Sequence, residues 1–173
     1  PARLGRPLPA EGGREVVVVG DRTYARNTDH TADVRGRLRL QFVEGDIRER
    51  AHVEQTVAGV DQIVNAAAES HVEKSITDGA SEFVTTNVEG TQVLLDACRA
   101  QPVERFLLIS SSEVYGTAES DPMDETHPLN PRSPYAATKA GGDRLVYSYA
   151  CTYDMPVAVI RPFNNYGPYQ HPE

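Results

Sequence analysis

The stretch that decides the fold is Val16–Val19, four consecutive valines followed by a glycine and an aspartate. A short run of β-branched residues is typical of a strand buried on both faces, as in parallel sheets. Four further apolar stretches have the length of strands. The sequence therefore predicts five strands in all, with the other four at 38–43, 63–68, 105–110 and 157–160.

Helical patterns separate these strands, at 48–57, 82–99 and 134–153. In the second of these, the apolar residues from Val84 to Cys98 fall near one face. Pro134 suits the first turn of the third helix. Alternation of strands and helices predicts an α/β fold, a Rossmann-like, doubly wound parallel sheet with right-handed crossovers.

Composition excludes several classes of protein. The chain has 173 residues and a formal net charge of −8. It contains no apolar run long enough for a transmembrane helix, and its acidic balance disfavours nucleic acid and anionic membranes as partners. The first residues lack the apolar core of a signal peptide. Cys98 and Cys151 are too far apart for zinc-type spacing and too few for a disulfide framework, which favours the cytoplasm.

Residues 1–14 contain three prolines and three glycines without periodicity, and we interpret them as an irregular segment. Residues 15–173 are then expected to form one partial domain. The acidic run between Glu119 and Glu125 is interpreted as a solvated loop, because no histidine at a regular spacing accompanies it. We therefore expect no metal site.

Polar groups follow the ends of the predicted strands. In open α/β sheets, ligands bind outside the carboxyl ends of the strands. We therefore expect a site at this edge, composed of Asp21, Asp46, Ala66 to Ser70, Ser110 to Glu113 and Arg161 to Asn165.

Tyr135 and Lys139 are spaced i, i+4 on a predicted helix and so share one face. A phenol is a poor base at neutral pH, but a neighbouring ammonium stabilises its phenolate. Ser111, at the end of an adjacent strand, can hydrogen-bond the same substrate oxygen. Together these groups can take a proton from a sugar alcohol while hydride passes to a nicotinamide. The alternative is a solvated helix pair without function.

Four motifs occur in order, and together they resemble the nucleotide-sugar branch of the extended short-chain dehydrogenase/reductases. Within that branch, the dTDP-glucose 4,6-dehydratases are the most similar, and the resemblance runs from about Val16 to Glu173. The motifs are Ala67-Ala68-Glu69-Ser70-His71-Val72, Ser110-Ser111-Ser112-Glu113-Val114-Tyr115-Gly116, Pro131-Arg132-Ser133-Pro134-Tyr135-Ala136-Ala137-Thr138-Lys139 and Arg161-Pro162-Phe163-Asn164-Asn165-Tyr166-Gly167-Pro168.

The resemblance implies an NAD cofactor, a nucleotide-sugar substrate and a role for each matching position. Tyr135 would be the base, with Lys139 and Ser111 completing a triad. Asp46 and Ile47 would contact the adenine; Ala66, Ala67 and Ala68 would lie along the cofactor, and Pro162 and Asn164 near the nicotinamide. Ser70, Lys74 and Asn165 would face the nucleotide-sugar, with lysine at position 74 where these dehydratases usually have arginine. Relatives often form dimers, which implies a homodimer through helices 82–99 and 134–153.

One departure from the family concerns the acid that expels water. The dehydratases usually have Asp-Glu after the triad hydroxyl, and this chain has Ser112-Glu113. Glu113 can take the C5 proton, whereas a serine hydroxyl is far too weak an acid to protonate the departing hydroxyl. Ser-Glu at this place resembles GDP-mannose 4,6-dehydratases and UDP-glucuronate decarboxylases. A UDP-glucuronate decarboxylase or a nucleotide-sugar 4-epimerase is therefore the alternative activity.

A second departure concerns the adenosine end. The acidic residue that binds the ribose hydroxyls and favours NAD is expected at Gly20, and Asp21 is its neighbour. Either the acid is shifted by one residue or the site is weakened, and Arg22 leaves the choice between NAD and NADP open. We expect NAD.

The family also begins with a strand and a glycine-rich turn that holds the pyrophosphate. Neither is present between Pro1 and Glu173, nor is most of the C-terminal substrate domain. We therefore expect the neighbours of the absent central strand to lack backbone partners and to border an apolar gap. A third hypothesis follows, a catalytically silent remnant that at most binds a partner.

Overall fold

The computed structural model describes residues 15–20 and 39–167, and within them five strands form two parallel sheets. Strands β1 (Glu15–Gly20) and β2 (Arg39–Glu44) form the first sheet, with Val17 opposite Gln41. The second has the order β3-β4-β5, formed by Gln62–Asn65, Arg105–Ile109 and Val157–Ile160. All five strands predicted from the sequence are confirmed, although β3 ends at Asn65, before the alanines.

The helices are α1 (Arg50–Val57), α2 (Val72–Thr77), α3 (Ser81–Phe83), α4 (Thr91–Ala100) and α5 (Pro134–Tyr153). A π-helix, Val84–Gly90, joins α3 to α4, and a 3₁₀ helix, Ser112–Tyr115, follows β4. The expectation of one regular α-helix over 82–99 is therefore wrong in its middle. None of the described helices has the length and apolarity that crossing a membrane requires.

Local sequence explains how α5 begins and ends. The Ser133 hydroxyl accepts a hydrogen bond of 3.1 Å from the backbone amide of Ala136, and Pro134 occupies the first turn. After Tyr153 the chain turns at Asp154, whose φ of 55° is left-handed and ends the helix. These signals are local, which is why the predicted and observed bounds of α5 agree.

The main core lies between the helices and the second sheet. Leu95, Phe106 and Val146 are fully buried there, from α4, β4 and α5. Cys98 belongs to this core, and burial raises the pKa of its thiol to about 12. The position of Cys98 on the apolar face of its predicted helix thus agrees with its burial, whereas Cys151 is exposed near the end of α5. Both cysteines are free thiols.

Among the described residues, β1 pairs with β2 alone and β3 with β4 alone. The side chains of Val17 and Val64 on these strands are 38% and 62% exposed. Each of β1 and β3 therefore has one edge that pairs with no described strand, and an exposed valine, as the sequence leads us to expect for the neighbours of the family's first strand. The irregular segment 1–14 and Asp21 lie outside the described residues.

Candidate active site

Helix α5 carries Tyr135 and Lys139 on a buried face. Their side chains are 9% and 6% exposed. A lysine and a tyrosine buried one turn apart do not form a solvated surface pair, so that alternative is wrong. The geometry instead holds the Lys139 ammonium against the carboxyl end of β4 and buries Tyr135 one turn before it.

Lys139 is bound to the last residue of β4. Its ammonium donates a hydrogen bond of 2.6 Å to the carbonyl oxygen of Ile109. Burial lowers the pKa of Lys139 to about 8, and the Asp143 carboxylate one turn later acts in the opposite direction. Because Ile109 lies two residues before Ser111, this bond also fixes α5 relative to the serine turn.

The serine turn, Ser110–Ser112, connects β4 to the 3₁₀ helix. The Ser111 hydroxyl accepts a hydrogen bond of 3.2 Å from the backbone amide of Glu113, which caps that helix. The amide of Ser112 donates to the carbonyl of Pro162 at 2.9 Å. The hydroxyl of Ser110, the residue before Ser111, is buried without a hydrogen-bond partner in the described structure and is an orphaned polar atom.

Glu113 is exposed and lines a cleft of about 350 Å³ together with Arg132, Thr117 and Ser133. Gly116 forms part of its wall, with a φ of 70°. A Cβ at that position would lie 2.0 Å from the carbonyl oxygen of Asn130, so only glycine fits. The structure therefore places the proposed C5 base in an open cleft, while Ser112 beside it is partly buried.

Two elements outside the motifs hold Tyr135 in place. Its backbone amide donates to the Ser75 hydroxyl at 3.2 Å, which connects α5 to α2. Its ring packs edge-on against Phe83, with centroids 6.5 Å apart. Helix α2 was not expected from the sequence, and it supports the candidate base directly.

Asn87 of the π-helix holds the loop that follows β3. Its side chain accepts from the Glu69 amide at 2.9 Å and donates to the Glu69 carbonyl at 3.0 Å. The same amide group donates to the Thr138 hydroxyl at 2.9 Å. The alanine loop is thereby bound to α5. Sequence reasoning missed Asn87, because it lies among other polar residues of the π-helix and no local signal distinguishes it from them.

Asp46 and Ile47, expected at the adenine, follow β2. The Arg48 side chain donates to the Asp46 carboxylate and is the main cause of its lowered pKa. Ile47 packs closely on the π-helix, where a Cβ at Gly90 would come within 2.5 Å of its Cδ1 atom. The two residues are therefore anchored to the helix that also holds the alanine loop.

The remaining expected residues lie on three segments after β3 and β5. Ala66, Ala67, Ala68 and Ser70 are partly buried in the loop after β3. On α2, the ammonium of Lys74 lies 4.0 Å from the Glu82 carboxylate. Pro162 is partly buried after β5, and Asn164 and Asn165 are exposed there. His71 caps α2 by accepting from the Lys74 amide at 3.3 Å, a structural role.

No cluster of three or more His, Cys, Asp or Glu side chains able to hold a metal ion occurs in the part of the chain that the structure describes. In the acidic loop, Asp124 instead accepts hydrogen bonds from the amide and hydroxyl of Thr126. His127 packs edge-on against Tyr115 and accepts from the Glu119 amide at 3.0 Å.

Comparison with known proteins identifies relatives for nearly the whole chain. The family model described as GDP-mannose 4,6 dehydratase matches residues 8–173. The chain is 52% identical over 158 residues to the low-salt glycan biosynthesis protein Agl12 of Haloferax volcanii, covering 91% of this chain and 51% of that protein. It is 45% identical to a dTDP-glucose 4,6-dehydratase of Streptomyces niveus, covering 99% of this chain and 51% of that protein.

The crystal structure of DesIV, a dTDP-glucose 4,6-dehydratase from Streptomyces venezuelae with NAD and TYD bound, superposes with a TM-score of 0.88 at 48% identity. The superposition covers 95% of this chain and 51% of DesIV. The Rossmann-like fold and the resemblance to dTDP-glucose 4,6-dehydratases are thus confirmed. The chain spans about half the length of these relatives.

Proposed function

The chain belongs to the GDP-mannose 4,6 dehydratase family, and from this we propose that the complete protein containing it is an NAD-dependent nucleotide-sugar dehydratase with dTDP-glucose as substrate. The observation that carries the proposal is the buried pair of Tyr135 and Lys139, bound to the end of β4 beside Ser111. A base for a sugar hydroxyl needs this combination of a phenol, a nearby cation and a second hydroxyl.

In this proposal Tyr135 takes the proton of the sugar's C4 hydroxyl, and Ser111 hydrogen-bonds the same oxygen. The Lys139 ammonium stabilises the phenolate that the transfer requires. The bond from Lys139 to the Ile109 carbonyl keeps the ammonium facing the site. Oxidation at C4 makes the C5 proton acidic, and Glu113 in its open cleft takes that proton. The C6 hydroxyl takes a proton from solvent and leaves as water, and Glu113 returns its proton to C5 when hydride returns to C6.

The proposed cofactor site is supported by small residues in the loop after β3 and by a carboxylate held in place after β2. Ala66, Ala67 and Ala68 leave room for a ligand to approach the backbone, and Asp46 is held in a fixed orientation by Arg48. The orphaned Ser110 hydroxyl is a polar atom that a bound group could satisfy. Bound NAD would accept hydride from C4 and return it to C6. We propose that Asp46 and Ile47 contact its adenine, Asp21 its ribose, and Pro162 and Asn164 its nicotinamide.

On the substrate side, we propose that Ser70, Lys74 and Asn165 face the nucleotide-sugar.

We further propose that residues 15–173 form one Rossmann-like unit and that the protein is a homodimer through helices 82–99 and 134–153. We also propose a cytoplasmic location, in which both cysteines stay reduced. The exposed aromatic side chains of Tyr147 and Tyr153 on α5 support the dimer face.

One observation favours a second activity. Ser112 stands where the dehydratase mechanism uses an acid, and decarboxylation or epimerisation after C4 oxidation needs no acid at C6. A UDP-glucuronate decarboxylase or a 4-epimerase is therefore the second candidate, with the same roles for Tyr135 and Lys139.

The test uses the complete reading frame that encodes this chain, purified and incubated separately with dTDP-glucose and UDP-glucuronate. Mass spectrometry shows whether dTDP-glucose loses water and whether UDP-glucuronate loses carbon dioxide. We expect a 4-keto-6-deoxy product from dTDP-glucose. No turnover of dTDP-glucose would overturn the leading proposal, and pentose formation would establish the second.

A further inference from the structure

Asp143 is a fully buried carboxylate that the proposed reaction does not use. It lies on α5 one turn after Lys139 and has 0% exposure. Burying a carboxylate is costly unless charged partners surround it. Its partners are two arginines, and their hydrogen bonds hold the pKa of Asp143 low despite its burial.

Arg161, at the end of β5, is the main partner. Its guanidinium binds both carboxylate oxygens of Asp143, with Nε 2.7 Å from Oδ2 and Nη2 3.0 Å from Oδ1. The paired geometry matches the planar fork of arginine to a carboxylate. Arg144, which is half exposed, adds a bond of 2.6 Å to Oδ1.

The other donors of Arg161 reach the far side of the site. Its Nη1 atom lies 3.0 Å from the hydroxyl of Tyr115, which accepts, and 3.3 Å from the Glu125 carbonyl. Tyr115 ends the 3₁₀ helix that begins at Ser112. One guanidinium therefore joins α5 to the segment that carries the serine turn.

The backbone on both sides of Arg161 binds the serine turn as well. The carbonyl of Ile160 accepts from the Ser110 amide at 2.8 Å, and the carbonyl of Pro162 accepts from the Ser112 amide at 2.9 Å. A shift of Arg161 would therefore move Ser111 relative to Tyr135 and Lys139. Reactions of this kind lose rate steeply when reacting groups are misplaced by about 1 Å.

Titratable groups of the described residues reach this side of α5 from three elements. Tyr135 and Asp143 lie on the helix itself, Arg144 reaches Asp143 from the same helix, Tyr115 comes from the 3₁₀ helix, and Arg161 from the end of β5. Asp143 is the one carboxylate among them. Its negative charge is the group that favours a charged Lys139 in a buried setting.

We propose that Asp143 and Arg161 form a positioning pair: Arg161 holds the serine turn against α5, and Asp143 supplies the negative charge that keeps Lys139 an ammonium. The role in catalysis rests on the proposed function, whereas the role in the charge of Lys139 does not. The first test can therefore be made without any substrate.

The complete protein is labelled with 13C at lysine Cε, and Lys139→Arg identifies the NMR signal of Lys139 among those of the other lysines. Lys74 on α2 serves as the internal reference, and Lys74→Arg assigns its signal. In Asp143→Asn we expect the Lys139 titration midpoint to fall by about one pH unit, because the negative charge is lost and the positive charge of Arg161 is no longer compensated. Arg144→Gln removes a positive charge instead, so the midpoint should rise or stay in place.

A Lys139 midpoint that is the same in Asp143→Asn and in the parent chain would overturn the charge role. A fall in Arg144→Gln would overturn it as well, so the test survives if Asp143→Asn does not fold. Circular dichroism identifies which variants are folded before titration.

The second test uses the complete protein and measures kcat and KM against pH. Tyr115→Phe removes one hydrogen bond of Arg161 and none of the charges near Lys139. We expect kcat to fall several-fold with KM and the pH profile unchanged, whereas in Asp143→Asn the alkaline limb moves to lower pH. Unchanged kcat in Tyr115→Phe would overturn the positioning role. If no nucleotide-sugar is turned over, the proposed function fails while the NMR result still decides the charge role.

Discussion

The side-chain amide of Asn87 donates a 2.9 Å hydrogen bond to the hydroxyl of Thr138, across 51 residues of sequence. This bond joins the π-helix to the helix that carries Tyr135 and Lys139. The same amide side chain satisfies both backbone groups of Glu69. The loop after β3 and the candidate catalytic helix are thus held by one buried residue.

Replacing Asn87 should therefore destabilise the fold more than an ordinary polar substitution. We expect Asn87→Ala to lower the free energy of unfolding by about 3 kcal/mol, since partly buried groups of Glu69 lose their partners. Urea unfolding measures the difference. Thr138→Val removes one of these bonds and should cost less than half as much; equal losses in the two variants would contradict this account.

Close packing of α5 on the π-helix gives a second prediction. A Cβ at Gly142 would lie 2.8 Å from the Asn87 carbonyl oxygen, a backbone atom that cannot move aside freely. We expect Gly142→Ala to lower stability by about 1–3 kcal/mol, despite the better helix propensity of alanine. At Gly141 the nearest atom is a Val88 methyl at 3.1 Å, which can shift. Gly141→Ala, measured by the same unfolding assay, should be nearly neutral or stabilising, and a larger loss there than at Gly142 would refute the argument.

The buried ammonium of Lys139 should make stability depend on pH. Its pKa is lowered from 10.5 to about 8, so between these values the unfolded chain binds more protons and stability rises with pH. The cost of burying the charge is present in full below pH 8 and corresponds to roughly 3 kcal/mol at most. Lys139→Met should thus be more stable than the parent chain at pH 7, with the difference vanishing near pH 10.5. Thermal melts at several pH values test this, and a constant difference across that range would disprove it.

Tyr135→Phe keeps the ring that packs on Phe83 and removes only the hydroxyl. In the complete protein we expect turnover to fall about 10²–10⁴-fold, the usual contribution of a general base. Binding of NAD, followed by calorimetry, should be little changed. Tyr147→Phe, on the exposed side of the same helix, is the matched control and should retain full turnover. Wild-type turnover in Tyr135→Phe would remove the candidate base.

Ser112→Asp restores the acid that dehydratases usually have beside the glutamate. If the protein eliminates water from dTDP-glucose, the new carboxyl group should protonate the leaving hydroxyl and raise kcat by about 10-fold or more. Ser112→Asn has a similar size without an acidic proton and should give no gain. A gain in neither variant would favour the decarboxylase or epimerase alternative.

Sequence patterns predicted the parts of the fold that local residues determine. The valines of β1, the apolar run of β4 and the serine and proline before Tyr135 each carry a signal within a few residues, and these elements were confirmed. The spacing of Tyr135 and Lys139 placed them on one face. Their burial depends on the packing of α2 and the π-helix against α5, which no local pattern expresses.

The elements that sequence reasoning missed depend on distant partners. Asn87 meets Thr138 across 51 residues, and Asp143 meets Arg161 across 18. A polar residue within a helix does not reveal what it will bind once the chain folds. Helix α2 is only six residues long, and its apolar positions are too few to give a period.

The π-helix determines the direction in which Asn87 projects toward α5. Its wide turns accommodate residues that a regular α-helix would have to place elsewhere around its axis. A change that converted these residues to ordinary helical turns without altering the length of the chain would rotate Asn87 about the helix axis, because each residue of an α-helix turns about 100° and each residue of a π-helix turns less. The alanine loop would then lose the side chain that binds it to α5, although neither the loop nor the candidate base is itself altered.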